Sequence, residues 1–143
     1  MHRTRSLIFL LLCLCCAFAA GCRAGKAPGK TDLAHRRFVL ENVDGKTFSS
    51  MAETPDIEFG EGFRVYGKIC NRFTGQGELE GNVLFVRLMA STKMICADAD
   101  LNRLENQFAQ MLMAGVVLEL SGNTLALRQV DHELVYTLQD RVQ

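Results

Sequence analysis

From Val116 to Leu138 the large apolar residues fall on alternate positions: Leu118 and Leu120, then Leu125 and Leu127, then Leu134, Tyr136 and Leu138. The triplets "SGN" and "DHE" separate the three runs. A period of two places such residues on one face of a pleated strand, and short polar turn sequences between the runs mark hairpins. Consecutive strands that share a buried face must bend around it, as a curved sheet or a barrel. No other feature constrains the fold as tightly.

The same device recurs upstream. In "RFVLENV" Phe38, Leu40 and then Asn42 alternate with Val39, Glu41 and Val43 before a turn at "DGK". Ile57 and Phe59 precede a glycine-rich turn, with Phe63, Val65 and Ile69 beyond it, and "GELEGNVLFVRL" turns at "EGN". One segment departs from this period. In "DADLNRLENQFAQMLMAG" the residues Leu101, Leu104, Phe108, Met111 and Leu112 have helical spacing. Asp98 or Asp100 can cap its start and Gly115 its end. The expected fold is mainly β with one major helix (α+β): a small antiparallel barrel-like or strongly curved sheet covered by the helix.

The N-terminus has the parts of an export signal. Arg3 and Arg5 are followed by an uncharged run from Leu7 to Ala20, too short for the roughly 20 apolar residues that span a bilayer. Cleavage has two readings. "AFA" at Ala17 suits ordinary secretion, while "AAGC" at Ala19 matches a lipobox that would lipidate Cys22, with Ala19 where leucine is more usual. The expected organisation is therefore a signal peptide over 1–21, a lipidated and flexible tether over 22–34, and a domain over 35–141. The segment resembles enterobacterial lipoproteins, and by that resemblance Arg23 rather than aspartate after the cysteine implies an outer-membrane location facing the periplasm. The chain has 16 basic and 16 acidic residues; removing the signal, with Arg3 and Arg5, leaves it slightly acidic. Such balance gives no electrostatic reason to expect nucleic-acid binding, which needs a basic patch.

Of six cysteines, Cys13, Cys15 and Cys16 lie in the apolar run and Cys22 is the lipid site. Cys70 and Cys96 remain, and an even pair in an exported domain reads most simply as a disulfide. Zinc needs closely spaced ligands, which the distant His35 and His132 do not supply, so no metal is expected. A catalytic thiol at Cys96, ahead of the helix, is the competing reading.

No catalytic constellation assembles. Ser91 and Ser121 have no nucleophile motif around them, and His35 and His132 read as surface residues. Glu78 and Glu80 share a strand face and could act as an acid–base pair, but their hairpin setting reads as a solvated face. Met89, Met94, Met111 and Met113 read as core filling rather than as an adaptable groove. No cofactor is expected.

The paired segments "KICNRFTGQGEL" and "MASTKMICADADLNRLENQF" resemble the META domain signature, in likeness from His35 to Leu138. Phe38 stands where members often carry tryptophan. The resemblance implies a mainly β, barrel-like envelope domain associated with heat stress and with tolerance of novobiocin-type antibiotics, and no enzymatic activity. It marks Asn71, Arg72, Phe73, Ser91, Thr92 and Met94 as signature positions. The expected function is that of a monomeric, non-enzymatic envelope lipoprotein. It is held to the membrane by its N-terminal lipid and acts by binding an envelope protein or a small hydrophobic ligand. The alternative is an inhibitor-like or chaperone-like partner of a secreted protein, using "AETPDIEFGEG" at Ala52 as a loop.

Overall fold

The computed structural model describes residues 25–49 and 54–141. The export signal and Cys22 lie outside these residues. The elements in order are α1 (Lys30–Leu33), β1 (Arg36–Val43), β2 (Lys46–Thr47), β3 (Asp56–Phe59), a 3-10 turn (Glu61–Phe63), β4 (Arg64–Lys68) and β5 (Arg72–Glu80). They continue with β6 (Val83–Ser91), α2 (Ala99–Ala114), β7 (Val116–Ser121), β8 (Thr124–Gln129) and β9 (His132–Arg141).

Neighbouring strands pair antiparallel from β1 through β3 to β9, and β9 returns to pair with β1 from Leu134↔Val43 to Arg141↔Arg36. The sheet is thus a closed antiparallel barrel, with β2 as a short extension paired to the end of β1. Hairpins alternate between two mouths. At one mouth β6 ends and β7 begins, and α2 joins them across it. Its stripe of Leu101, Leu104, Phe108, Met111 and Leu112 is buried in the barrel core. Asp98 caps the helix by accepting from the Asp100 and Leu101 amides at 2.9 and 3.2 Å. Gly115 ends it at φ +102°, a region few other residues enter.

The opposite mouth is crossed by the N-terminal segment, and here the expected tether is corrected. From Gly25 on, these residues pack on the domain. Lys26 exchanges two 2.9 Å backbone hydrogen bonds with Leu120, Pro28 is buried, and Leu33 is fully buried in the core. The reason is an open seam. β6 and β7 share only the pairs Val83↔Val117 and Leu84↔Val116, so the far end of β7 has an unpaired edge, and buried or edge peptide groups need partners. Lys26 supplies them. A lysine–glycine–proline composition gives no hint of this, because the demand comes from a strand more than ninety positions away.

Of three register shifts among the described strands, one of them between Arg37 and Phe38, two change which residues face the core. One follows Leu40, so Val43 rather than Asn42 packs toward the core. The other lies between Gln76↔Arg87 and Thr74↔Ala90. It turns Leu88 outward at φ +51°, 92% exposed, and lets Met89 pack on the core.

The barrel axis is occupied by large side chains. Phe38 meets Phe59 edge-on at 6.2 Å, Phe59 stacks on Phe63 at 5.7 Å, and Tyr136 is fully buried. Among the described residues the Tyr136 hydroxyl has no hydrogen-bond partner, and burial pushes its pKa upward. Removing an unpaired buried hydroxyl should stabilise. Tyr136→Phe is expected to gain about 1 kcal/mol, read as a higher urea midpoint at unchanged m-value; a loss would mean that the hydroxyl is satisfied.

Candidate functional site

The two halves of the signature meet at the helix mouth, where the start of β5, the exit of β6 and the first turns of α2 converge. Cys70 and Cys96 are joined by a disulfide with Cα atoms 6.0 Å apart. Beside it Asn71 is only 6% exposed, so its amide must find partners within the protein. Its Oδ1 accepts from the Met94 amide at 2.7 Å and the Thr92 hydroxyl at 2.9 Å. Its Nδ2 donates to Glu105 Oε1 at 3.0 Å and to the Met94 carbonyl at 3.3 Å. Glu105 Oε2 accepts from the Asn71 amide at 2.7 Å and the Cys70 amide at 3.1 Å.

The neighbours extend the same clasp. The Thr92 amide donates to the Arg72 carbonyl at 3.0 Å, and the Arg72 amide to the Thr92 hydroxyl at 3.1 Å. Phe73 packs edge-on to Phe108 of α2, ring centres 5.1 Å apart. Ser91 ends β6 opposite Phe73 in register and is exposed. The motif therefore binds strand to strand and strand to helix. Asn71, Thr92 and Glu105 spend their polar atoms on one another and on the backbone, which leaves them poorly placed for a ligand or a reaction.

Potential ligand atoms of Cys70, Cys96 and Glu105 lie within 4.8 Å of one another. A metal would require thiolates, and the disulfide removes both, while Glu105 already accepts three N–H bonds. The catalytic thiol at Cys96 is corrected on the same ground, since a half-cystine has no free thiolate. Glu105 is the residue that sequence reasoning missed. A signal was present: on a helix it neighbours Leu101 and Phe108, so an acid there sits at the rim of the apolar stripe and needs a partner.

The remaining candidates are dispersed over the outer surface. Glu78 pairs with Arg87 at 3.3 Å, both half exposed, and Glu80 is exposed. His35 is exposed before β1. His132 Nδ1 lies 3.2 Å from Asp44 Oδ2; the Glu133 amide, with help from His132, holds the Asp44 carboxyl below its ordinary 3.8. The methionines divide: Met111 is buried and Met89 packs on the core, whereas Met94 and Met113 are exposed, against the core-filling expectation. Ile95 is 98% exposed beside Met94. The loop expected from Ala52 is corrected too. Ala52 and Glu53 lie outside the described residues, while Ile57 and Phe59 are core residues of β3.

The Arg72 side chain points outward and, among the described residues, its guanidinium has no ion-pair or hydrogen-bond partner. It lines a pocket of about 330 Å³ on the outer wall.

Comparison with known proteins places these features in a family. A family model for the META domain matches residues 31–141. The chain is 40% identical over 123 residues to the "Heat shock protein HslJ" of Escherichia coli (strain K12), covering 85% of this chain and 88% of that protein. One NMR structure matches with a TM-score of 0.72 at 40% identity, covering 78% of this chain and 95% of the other. A second, of a protein from Burkholderia xenovorans, has a TM-score of 0.66 at 15% identity over 82% of this chain and 91% of that one, a likeness of fold alone.

Proposed function

The chain belongs to the META domain family, and on that basis we propose that it is a heat-shock-related envelope lipoprotein that acts, without catalysis, by contacting another envelope protein at its helix mouth. Tolerance of novobiocin-type antibiotics is part of the same reading. The heat-shock element rests on the printed name of a relative 40% identical over most of both chains.

The observation that carries the reading is the division of the barrel into two ends. Lys26 is fixed to Leu120 at the mouth opposite α2. Lys26 is four positions from Cys22, a reach of about 14 Å at most. A lipid on Cys22 would therefore hold the domain close to the leaflet and direct the helix mouth away from it. Leu88, Met94 and Ile95 lie toward that distal half, exposed by 92%, 63% and 98%. Exposed apolar side chains of this kind suit a protein contact, and the burial of Phe38, Phe59 and Tyr136 along the barrel axis favours that reading over a hydrophobic ligand held inside. The inward-facing clasp supports a non-enzymatic role.

The test is site-specific photocrosslinking in intact heat-stressed cells, with the reactive residue at Ile95 or at Asn123 in the β7–β8 turn. Position 95 should give discrete protein adducts and position 123 should not. Cys22→Ser should abolish palmitate labelling and membrane association. Equal adducts at both positions would remove the distal contact. Membrane association that survives Cys22→Ser would remove the lipid anchor.

A further inference from the structure

The mouth crossed by the N-terminal segment holds a pocket of about 370 Å³. One wall is the α1 segment, with Lys30, Thr31 and His35, and the other is the β3–β4 turn, with Glu61, Gly62 and Phe63. Lys30, Thr31, His35 and Glu61 are exposed, whereas Phe63 is buried in the barrel core.

Backbone strain gathers at this pocket. Among the described residues four other than glycine have a positive φ, and two of them, His35 at +58° and Phe63 at +60°, line it. Bulky side chains enter this region at a cost that the surrounding structure has to hold. Phe59 holds both: its carbonyl accepts from the His35 amide at 2.7 Å, and its ring stacks on Phe63. Strain of this kind clusters where a binding surface has to be shaped.

The two walls carry opposite charges that folding does not use. Lys30 Nζ sits 5.2 Å from the centre of the Phe63 ring, which positions the ammonium without neutralising it. The Asp32 carboxylate nearby is taken by Lys26 Nζ at 2.7 Å and the Gly29 amide at 2.9 Å. Among the described residues neither Lys30 nor Glu61 has an ion pair, and the two do not pair with each other across the pocket. Opposite charges kept apart on facing walls suit a ligand that carries both signs.

We propose that this pocket receives the zwitterionic phosphoethanolamine headgroup of a leaflet lipid. The phosphodiester would meet Lys30, with the Thr31 hydroxyl as a second donor, and the primary ammonium would donate to Glu61. A trimethylammonium group offers Glu61 no N–H, and Phe63, buried beneath Lys30, makes no aromatic cage for it. An anionic headgroup without an ammonium would leave Glu61 facing a like charge. A lipid is the source because Lys30 is eight positions from Cys22, at the mouth that an acylated cysteine would hold to the leaflet. That assignment rests on the lipid anchor proposed above. A seated headgroup would fix how the barrel stands on the leaflet, which a tether alone leaves free.

The test is amide NMR of the full-length protein in a neutral maltoside detergent. The probes are dihexanoyl-phosphatidylethanolamine, its phosphatidylcholine and phosphatidylglycerol counterparts, and chain-free glycerophosphoethanolamine. The ethanolamine lipid should shift the amides of residues 30–35 and 61–63 saturably, with a dissociation constant of about 1 mM or tighter. Gly45 and Asp131, in turns at the helix mouth, should not move. The choline and glycerol lipids should bind about tenfold more weakly or less well still. Lys30→Gln and Glu61→Gln should each weaken the ethanolamine lipid by about tenfold, while Lys93→Gln, exposed ahead of α2, leaves it unchanged. Unaltered thermal midpoints establish that the variants fold. The proposal is overturned if the three lipids bind alike, or if Glu61→Gln binds as wild type. It is also overturned if glycerophosphoethanolamine binds as tightly as the lipid, which would make the ligand a solute. Palmitate labelling reads the anchor separately: an unlabelled protein that keeps the ethanolamine preference upholds the pocket and removes only the anchor.

Discussion

Replacing Glu105 with alanine should lower the stability of the domain by about 3–4 kcal/mol, although the residue lies on a helix flank rather than in the apolar core. Its carboxylate accepts from the Cys70 amide, the Asn71 amide and Asn71 Nδ2. Truncation leaves three half-buried donors without acceptors, and each orphaned donor costs about 1–3 kcal/mol. Water entering the vacated space recovers part of that sum. Asn71→Ala should cost a comparable amount, because it strands the Met94 amide and the Thr92 hydroxyl as well as Glu105. A double-mutant cycle between the two in urea should give a coupling of about 1–3 kcal/mol. A loss below about 0.5 kcal/mol for Glu105→Ala, in the range of ordinary surface substitutions, would show that the clasp does not hold β5 to α2. The signature would then require an explanation outside folding.

The periodicities made much of the architecture legible. The stripe from Leu101 to Leu112 and the alternation from Leu118 to Tyr136 are each set by contacts along one segment, and both are buried in the barrel. The failures share a different cause. Leu88 lies in phase with Leu84 and Val86 but is turned out by a bulge, which depends on how β5 and β6 pair. Lys26 reads as tether because its partner is Leu120. Asn71 and Glu105 are thirty-four positions apart, and nothing local to either identifies the other. Arg72 shows the same limit in reverse. Its outward direction, and its position opposite Lys68, become visible only when the strands are in register.

Substituting both Cys70 and Cys96 with alanine should cost about 3.5 kcal/mol, the chain-entropy value for a bridge spanning 26 positions. The loop it closes contains all of β5 and β6, so without the bond the unfolded chain gains freedom mainly in this hairpin and in the approach to α2. The clasp spans the same junction by hydrogen bonds from Asn71 to Met94 and Glu105. Bridge and clasp therefore restrain one set of motions, so each covers part of the other's loss, and removing both should cost at least the sum of the single losses. With the clasp intact, the alanine pair should remain folded with a lower urea midpoint. With Glu105→Ala added, the summed cost of about 7 kcal/mol falls within the whole stability of a typical domain, about 5–15 kcal/mol, and the triple variant should be largely unfolded at 37 °C. Urea titrations of wild type with and without reductant provide the check. A shift below about 1 kcal/mol on reduction would mean that the clasp alone fixes the junction. A triple variant as stable as the alanine pair would mean that Glu105 contributes nothing once the bond is gone.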